Sequence, residues 1–358
     1  MTPYGQVLKN VTLPRIWQTL HANAHVLRRK DAAVLFNSNN RWKKRGVAVT
    51  PVKYGITNSG LKYGAQVSIC SGDGSVLVTH GGCEVGQGID TKAAQMAAYV
   101  FGIPIKKIKV QATSTGLIPN SDATGGSSTS ESVARSVQAA CQTLKKRLDG
   151  VKMESKENAS LSWEELVAKA HEGGVQLFAG EQPHVVAPPN QVFDYFVYAA
   201  ACSEVEVDIL TGEINLVRTD IMYDCGKSFN PAVDIGQIEG AFVMAVGLFF
   251  QEEVVYDAKG RLVTSGTWEY KVPAHKDIPE TFNVTLLDKA ENPGGIMSSK
   301  AVGEPPFQLA NSVYFAIKDA VKHSRLERGI TDFFNMDLPA TVARRHVAAN
   351  VRPTDLAL

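Results

Sequence analysis

The chain has 358 residues, 44% hydrophobic and 20% charged, enough for two or three packed units. Its formal net charge of +1 gives no electrostatic case for nucleic acid or an anionic membrane as a partner. No apolar run reads as the roughly 20 residues of a membrane span, and five scattered cysteines without a Cys-x-x-Cys pair argue against a disulfide or zinc framework and for a reduced, cytoplasmic setting.

Residues 1–45 read as a helix, Arg15–His25, followed by a polar loop at Asn37–Asn40 and a solvated basic linker, Arg41-Trp42-Lys43-Lys44-Arg45. A first α/β unit is expected over 46–150. Its strands are Val47–Thr50, Gln66–Cys70 and Ser75–His80, the last two joined by the hairpin turn Ser71-Gly72-Asp73-Gly74. The third strand runs into Gly81-Gly82-Cys83-Glu84-Val85-Gly86-Gln87-Gly88. Asp90 then caps a helix, Thr91–Phe101, that Gly102 ends. Such a loop lets a flat or anionic ligand reach backbone N–H groups without colliding with side chains. It is not a Walker loop, because Gly-Lys-Ser/Thr is missing.

A second loop of the same character follows the strand Ile108–Ala112. It runs through Thr124-Gly125-Gly126-Ser127-Ser128-Thr129, and Ser128 and Glu131 have capping-box spacing ahead of a helix that stops at Gly150. Hydroxyls and glycines at a helix start suit a phosphate, with Ser128 itself serving as the cap. Residues 151–195 read as a connector, with a helix capped by Ser162 and a loop containing Pro183, Pro188 and Pro189.

The plan then recurs over 196–358. Strands Ala199–Asp208 and Glu213–Tyr223 lead into Asp224-Cys225-Gly226, and Gly236-Gln237 precedes an apolar helix. The fold class expected is α+β, two similar mixed α/β subdomains each built as strand, glycine loop and helix. Gln87 and Gln237 then hold equivalent places near two helix starts, where an amide suits a heterocyclic ligand. Near the end, Gly303-Glu304-Pro305-Pro306 is a rigid turn in an apolar run. Read alone, Glu304 first fits a turn residue favourable to the dipole of a helix Pro306–His323. Aimed inward, it is instead a carboxylate whose pKa burial raises toward that of a general base.

Taken together, Gly81-Gly82-x-Glu84-x-Gly86-Gln87-Gly88, Thr124-Gly125-Gly126-Ser127, Asn230-Pro231-x-x-Asp234-x-Gly236-Gln237-x-Glu239-Gly240 and Lys300-Ala301-Val302-Gly303-Glu304-Pro305-Pro306 resemble the molybdenum hydroxylases, the xanthine dehydrogenase and aldehyde oxidase family. The resemblance runs from about Trp42 to the end and implies the second half of a molybdopterin-binding domain. It implies that Gly86 and Gln87 meet the pterin, with Gln237 against it from the other repeat. The loop with Thr124, Gly126, Ser127, Ser128 and Thr129 would serve the cofactor and its phosphate. Glu304 would be the general base activating Mo–OH, the metal itself being held through the pterin. The implied substrate is an aldehyde or N-heterocycle and the implied assembly a homodimer. FAD and [2Fe–2S] are expected only in upstream domains that these residues do not contain. Asn58, where purine-oxidising members carry an aromatic residue, and Gly125-Gly126 for an Ala-Ala pair tilt the reading toward an aldehyde-oxidase-like member. A non-catalytic cofactor-binding or assembly module of the same fold is the alternative; a phosphate- or nucleotide-binding protein is weakened by the lack of a loop lysine.

Overall fold

The computed structural model describes residues 1–187 and 189–356, so Pro188 of the connector loop lies outside the described residues. Helices α1 (Leu13–Asn23) and α2 (Val26–Asn39) come first, then β1 (Lys43–Ile56), β2 (Ala65–Ile69), β3 (Val76–His80), α3 (Ile89–Phe101) and β4 (Ile108–Val110). Next are α4 (Thr129–Met153), the short α5 (Lys156–Ala159), α6 (Trp163–Glu172) and β5 (Phe178–Glu181). The remainder is β6 (Tyr195–Asp208), β7 (Ile214–Tyr223), α7 (Pro231–Phe250), β8 (Thr281–Leu286), α8 (Asn311–Glu327) and α9 (Val342–Ala349).

Two four-stranded sheets, in the orders β4-β3-β2-β5 and β8-β7-β6-β1, share one topology. In each, an antiparallel hairpin (β2–β3, β6–β7) feeds a helix (α3, α7) that returns to a parallel strand (β4, β8). The expected internal duplication is thus a repeated β-β-α-β unit. Each sheet has its own apolar core. Val67, Val76 and Val78 pack with Ala93, Val137 and Leu144 around the first. Val197, Ile221, Ile238, Phe242 and Ile317 pack around the second. Each valine, leucine, isoleucine or phenylalanine among them contributes about 1.5–3 kcal/mol when fully buried.

The edge strands depart from the sequence-based boundaries. β1 pairs over its whole length with β6, from Lys43 opposite Asp208 to Ile56 opposite Tyr195, so the first strand of the 46–150 segment belongs to the second sheet. The 151–195 segment supplies β5 to the first sheet, and Leu166, Val167 and Ala170 of α6 join that sheet's core. The basic cluster is not a solvated linker. Lys44 is buried, donating to the Asn37 and Asn40 carbonyls and paired with Glu327. The polar run from Asn37 forms the end of α2.

Several helix ends also differ from expectation. Asp90 lies inside α3, whose N-cap is Gly88 in the left-handed region (φ 71°). The helix expected to stop at Gly150 continues to Met153. Residues Pro305–Ala310 form a 3-10 turn before α8, with both prolines in its first turn, where the missing N–H groups cost nothing. α7, at 20 residues, is long and apolar enough by composition to cross a membrane, contrary to the sequence reading. In the fold its inner face, including Ile238, Phe242, Ala245 and Val246, is buried in the core of the second sheet.

Candidate functional site

A cavity of about 410 Å³ opens between the two repeats. Its walls bring together Gly86, Gln87, Thr124, Gly126, Ser127, Thr129, Gln237 and Glu304, eight of the nine residues singled out from sequence. Ser128 is not on the wall. Its hydroxyl turns back to the Gly125 carbonyl at 3.3 Å and it makes no capping bond, so the Ser128–Glu131 capping box does not form.

The two glycine loops, alike in composition, differ in what fills them. In the first, the Glu84 carboxylate accepts the N–H groups of Gly86 (2.9 Å), Gly88 (3.0 Å) and Asp90 (3.2 Å). Burial of Glu84 opposes its charge, but donation from Asp90, Gly86, Gly88 and Ile89 outweighs this and holds its pKa below the usual carboxylate range. The anion-seeking start of α3 is thereby satisfied from within the chain. Gln87 closes the same loop, donating Nε2–H to the Cys83 carbonyl and accepting from the Val85 N–H, both at 2.7 Å.

In the second loop, Gly126 (φ 66°) and Ser127 (φ 58°) are both left-handed. The N–H groups of Gly126, Ser127 and Ser128 have no acceptor among the described residues. Free donors at the start of a 25-residue helix, on a cavity wall, form a cradle for an anionic group. Thr124 ties the two loops together by accepting the Cys83 N–H at 2.9 Å.

Gln237 and Gln87 are not equivalent in place. Gln87 lies in the loop ahead of α3, whereas Gln237 is seven residues into α7. They nonetheless face one wall, because Gln237 Nε2 reaches the Gly86 carbonyl at 3.3 Å. Lys92 of α3 and Asp234 of α7 pair at 3.0 Å beside it.

Glu304 is half-buried at the cavity edge. Its N–H donates to Ser127 Oγ at 2.7 Å, and its Oε2 accepts the Tyr54 hydroxyl at 2.7 Å. Oε1 has no partner among the described residues. The loop behind it is fixed at several points that sequence reading missed. Tyr195, from β6, accepts the Ala301 N–H at 3.0 Å while donating to the buried Glu131 carboxylate at 2.8 Å. Glu131 also accepts Arg135 and the Ile296 N–H. Tyr223 donates to the Ala301 carbonyl at 2.8 Å. Lys300 and Asp224 form a buried ion pair at 2.7 Å, with Thr12 and the Gly226 N–H completing the carboxylate. Tyr54, Tyr195 and Tyr223 each sit within a strand, with nothing local to mark them.

Asn58 does not line the cavity. It is buried, its N–H donates to Asp194, and its side-chain amide has no hydrogen-bond partner among the described residues.

The family described as the molybdopterin cofactor-binding domain matches residues 19–279. The chain is 44% identical to xanthine dehydrogenase/oxidase of Gallus gallus over 354 residues, which is 96% of this chain and 26% of that protein. It is 42% identical to aldehyde oxidase 4 of Rattus norvegicus, covering 99% of this chain and 27% of the relative. The chain thus spans about a quarter of the length of these relatives. Among solved structures, quinoline 2-oxidoreductase from Pseudomonas putida 86 superposes with a TM-score of 0.81 at 24% identity, covering 96% of this chain and 46% of that one. Aldehyde oxidoreductase from Desulfovibrio gigas gives 0.75 at 23% identity, covering 98% and 37%. At these identities the superpositions speak for the fold alone.

Proposed function

Because the chain belongs to the molybdopterin cofactor-binding domain family, we propose that it forms the second half of the cofactor site in an oxidoreductase that hydroxylates aldehydes or N-heterocycles, with Glu304 as general base. One observation carries this reading. Glu304 is held at one oxygen by Tyr54 and at its backbone by Ser127, and its free oxygen sits on the same cavity as Gln87, Gln237 and the open start of α4.

The residues present fit the cofactor. The acceptor-free N–H groups of Gly126, Ser127 and Ser128 would take an anionic phosphate, and the spare amide donors and acceptors of Gln87 and Gln237 would meet a pterin edge. When bound, the molybdenum cofactor supplies the oxygen-transfer and two-electron redox chemistry. The protein's own part is to bind and orient that group, keep water from the pocket and accept one proton at Glu304 Oε1. Phe229, Ala301, Val302 and Phe307 give the cavity an apolar side on which a flat substrate can lie.

One side of this cavity is open, lined by the exposed Met244 and by Gly240 of α7. The remaining domains of the same enzyme would close it, with FAD and [2Fe–2S] upstream and a homodimer as the assembly. The isolated chain is then expected to be inactive. A non-catalytic cofactor-binding or assembly module would need the cradle but not Glu304. Glu304→Gln in the complete enzyme separates the two: the variant should keep full molybdenum and lose turnover about 10²–10⁴-fold. Full molybdenum with near wild-type turnover would overturn the base assignment.

A further inference from the structure

The Tyr54–Glu304 contact spans 250 residues of sequence and joins two elements with different tasks. Tyr54 is on β1, a strand locked to β6 at every residue, whereas Glu304 ends a loop just before a 3-10 turn. The phenol donates to Oε2 at 2.7 Å, and Oε1 has no partner among the described residues. A carboxylate held at one oxygen presents the other in a fixed direction, and proton acceptance depends on that direction.

The charged groups around Glu304 leave Tyr54 as its bonded titratable neighbour. On α4, Glu131 is paired with Arg135; Lys92 of α3 is paired with Asp234 of α7; Lys300 of the same loop is paired with Asp224. Tyr195 and Tyr223 hold Ala301 rather than Glu304.

We propose that Tyr54 is a positioning residue for the reaction, pinning one oxygen of Glu304 so that the other is the proton acceptor and supporting the carboxylate in its charged form. This rests on the general-base reading of Glu304. Burial, then the hydrogen bond and charge of Glu304, push the Tyr54 phenol up to about 12, so it remains a donor across the range in which enzymes work.

Two measurements on the holoenzyme containing this chain test it. One is the pH profile of kcat/KM. The other is carbodiimide labelling of Glu304, followed by peptide mass mapping, which needs no turnover. Tyr54→Phe removes the donor and keeps the ring, so molybdenum content should be unchanged. The acid limb and the pH of half-maximal labelling should both move up, as a hydrogen bond to a charged group is lost. With 3-fluorotyrosine at position 54, a more acidic donor, both should move down. Unmoved limbs and labelling in both proteins, with Glu304→Gln inactive, would overturn the role of Tyr54 alone. Glu304→Gln with full turnover would overturn the base reading and the role of Tyr54 with it.

Discussion

The N–H of Glu304 donates to Ser127 Oγ at 2.7 Å, and a Cβ added at the intervening Gly303 would lie 2.9 Å from that same oxygen. Two motifs 177 residues apart in sequence are thus in direct contact, and the contact requires a residue without a side chain between them. The same serine borders the acceptor-free N–H groups at the start of α4. The N–H cradle proposed for the cofactor and the candidate base are therefore joined through one serine.

Gly303→Ala should displace either Ser127 or the base, whereas Ser127→Gly loses one hydrogen bond of about 1 kcal/mol. Glycine also accepts the left-handed backbone at position 127 without strain. In the double variant the added methyl has no oxygen to meet, so its penalty should largely vanish. A coupling of about 0.5–3 kcal/mol is expected in unfolding free energy, with a parallel recovery of turnover. Strict additivity of the two single changes would show that the close approach is unimportant.

Glu84 gives a prediction in pH. Its folded pKa is depressed, so its stabilisation of the first glycine loop is fully present above the unfolded value of about 4.3 and is lost as pH falls through the folded value. Hydrogen-exchange protection at the Gly86, Gly88 and Asp90 amides, corrected for intrinsic rates, should drop over that acid window. Glu84→Ala should show low protection at every pH and no such drop. Equal protection in both proteins at neutral pH would mean that the loop closes without the carboxylate.

What could be read from sequence was local. The hairpin before the first glycine loop, the α3 stop at Gly102 and the repetition of strand, loop and helix follow from turn chemistry and apolar periodicity within about twenty residues. The cavity residues were legible because four ordered motifs together resemble one family; read alone, Gly-Gln and Gly-Glu-Pro-Pro fit ordinary turns. The misses are pairings at a distance. β1 joins β6 rather than its sequence neighbours because an antiparallel partner is chosen by tertiary fit. Tyr54, Tyr195 and Tyr223 act through single hydroxyls, and strand patterning marks an aromatic residue without marking where its hydroxyl will reach. Glu84 looked like one polar residue of a ligand loop. Its carboxylate instead accepts the N–H groups that such a loop offers a ligand.

That filling changes what Gln87 is expected to do. Its amide is spent twice within the loop, on the Cys83 carbonyl and the Val85 N–H. An amide has two donor hydrogens and two lone pairs, so one of each remains for a ligand at the cavity wall. Gln87→Ala should therefore act in two ways, removing a contact to the cofactor and loosening the turn that presents the Gly86 carbonyl to Gln237. The combined loss should be about 1–3 kcal/mol, because partners are left unsatisfied, or roughly fivefold to 150-fold in cofactor affinity. Gln237→Ala removes its own contact to the cofactor but only one longer bond within the chain, at 3.3 Å, and should cost less. Neither amide lies on the proton path assigned to Glu304, so turnover per bound molybdenum should fall less than occupancy. Molybdenum content, pterin released on denaturation and turnover normalised to molybdenum, measured side by side in the complete enzyme, separate the two effects. Full occupancy with a collapsed rate per molybdenum would move Gln87 from holding the cofactor to the chemistry itself.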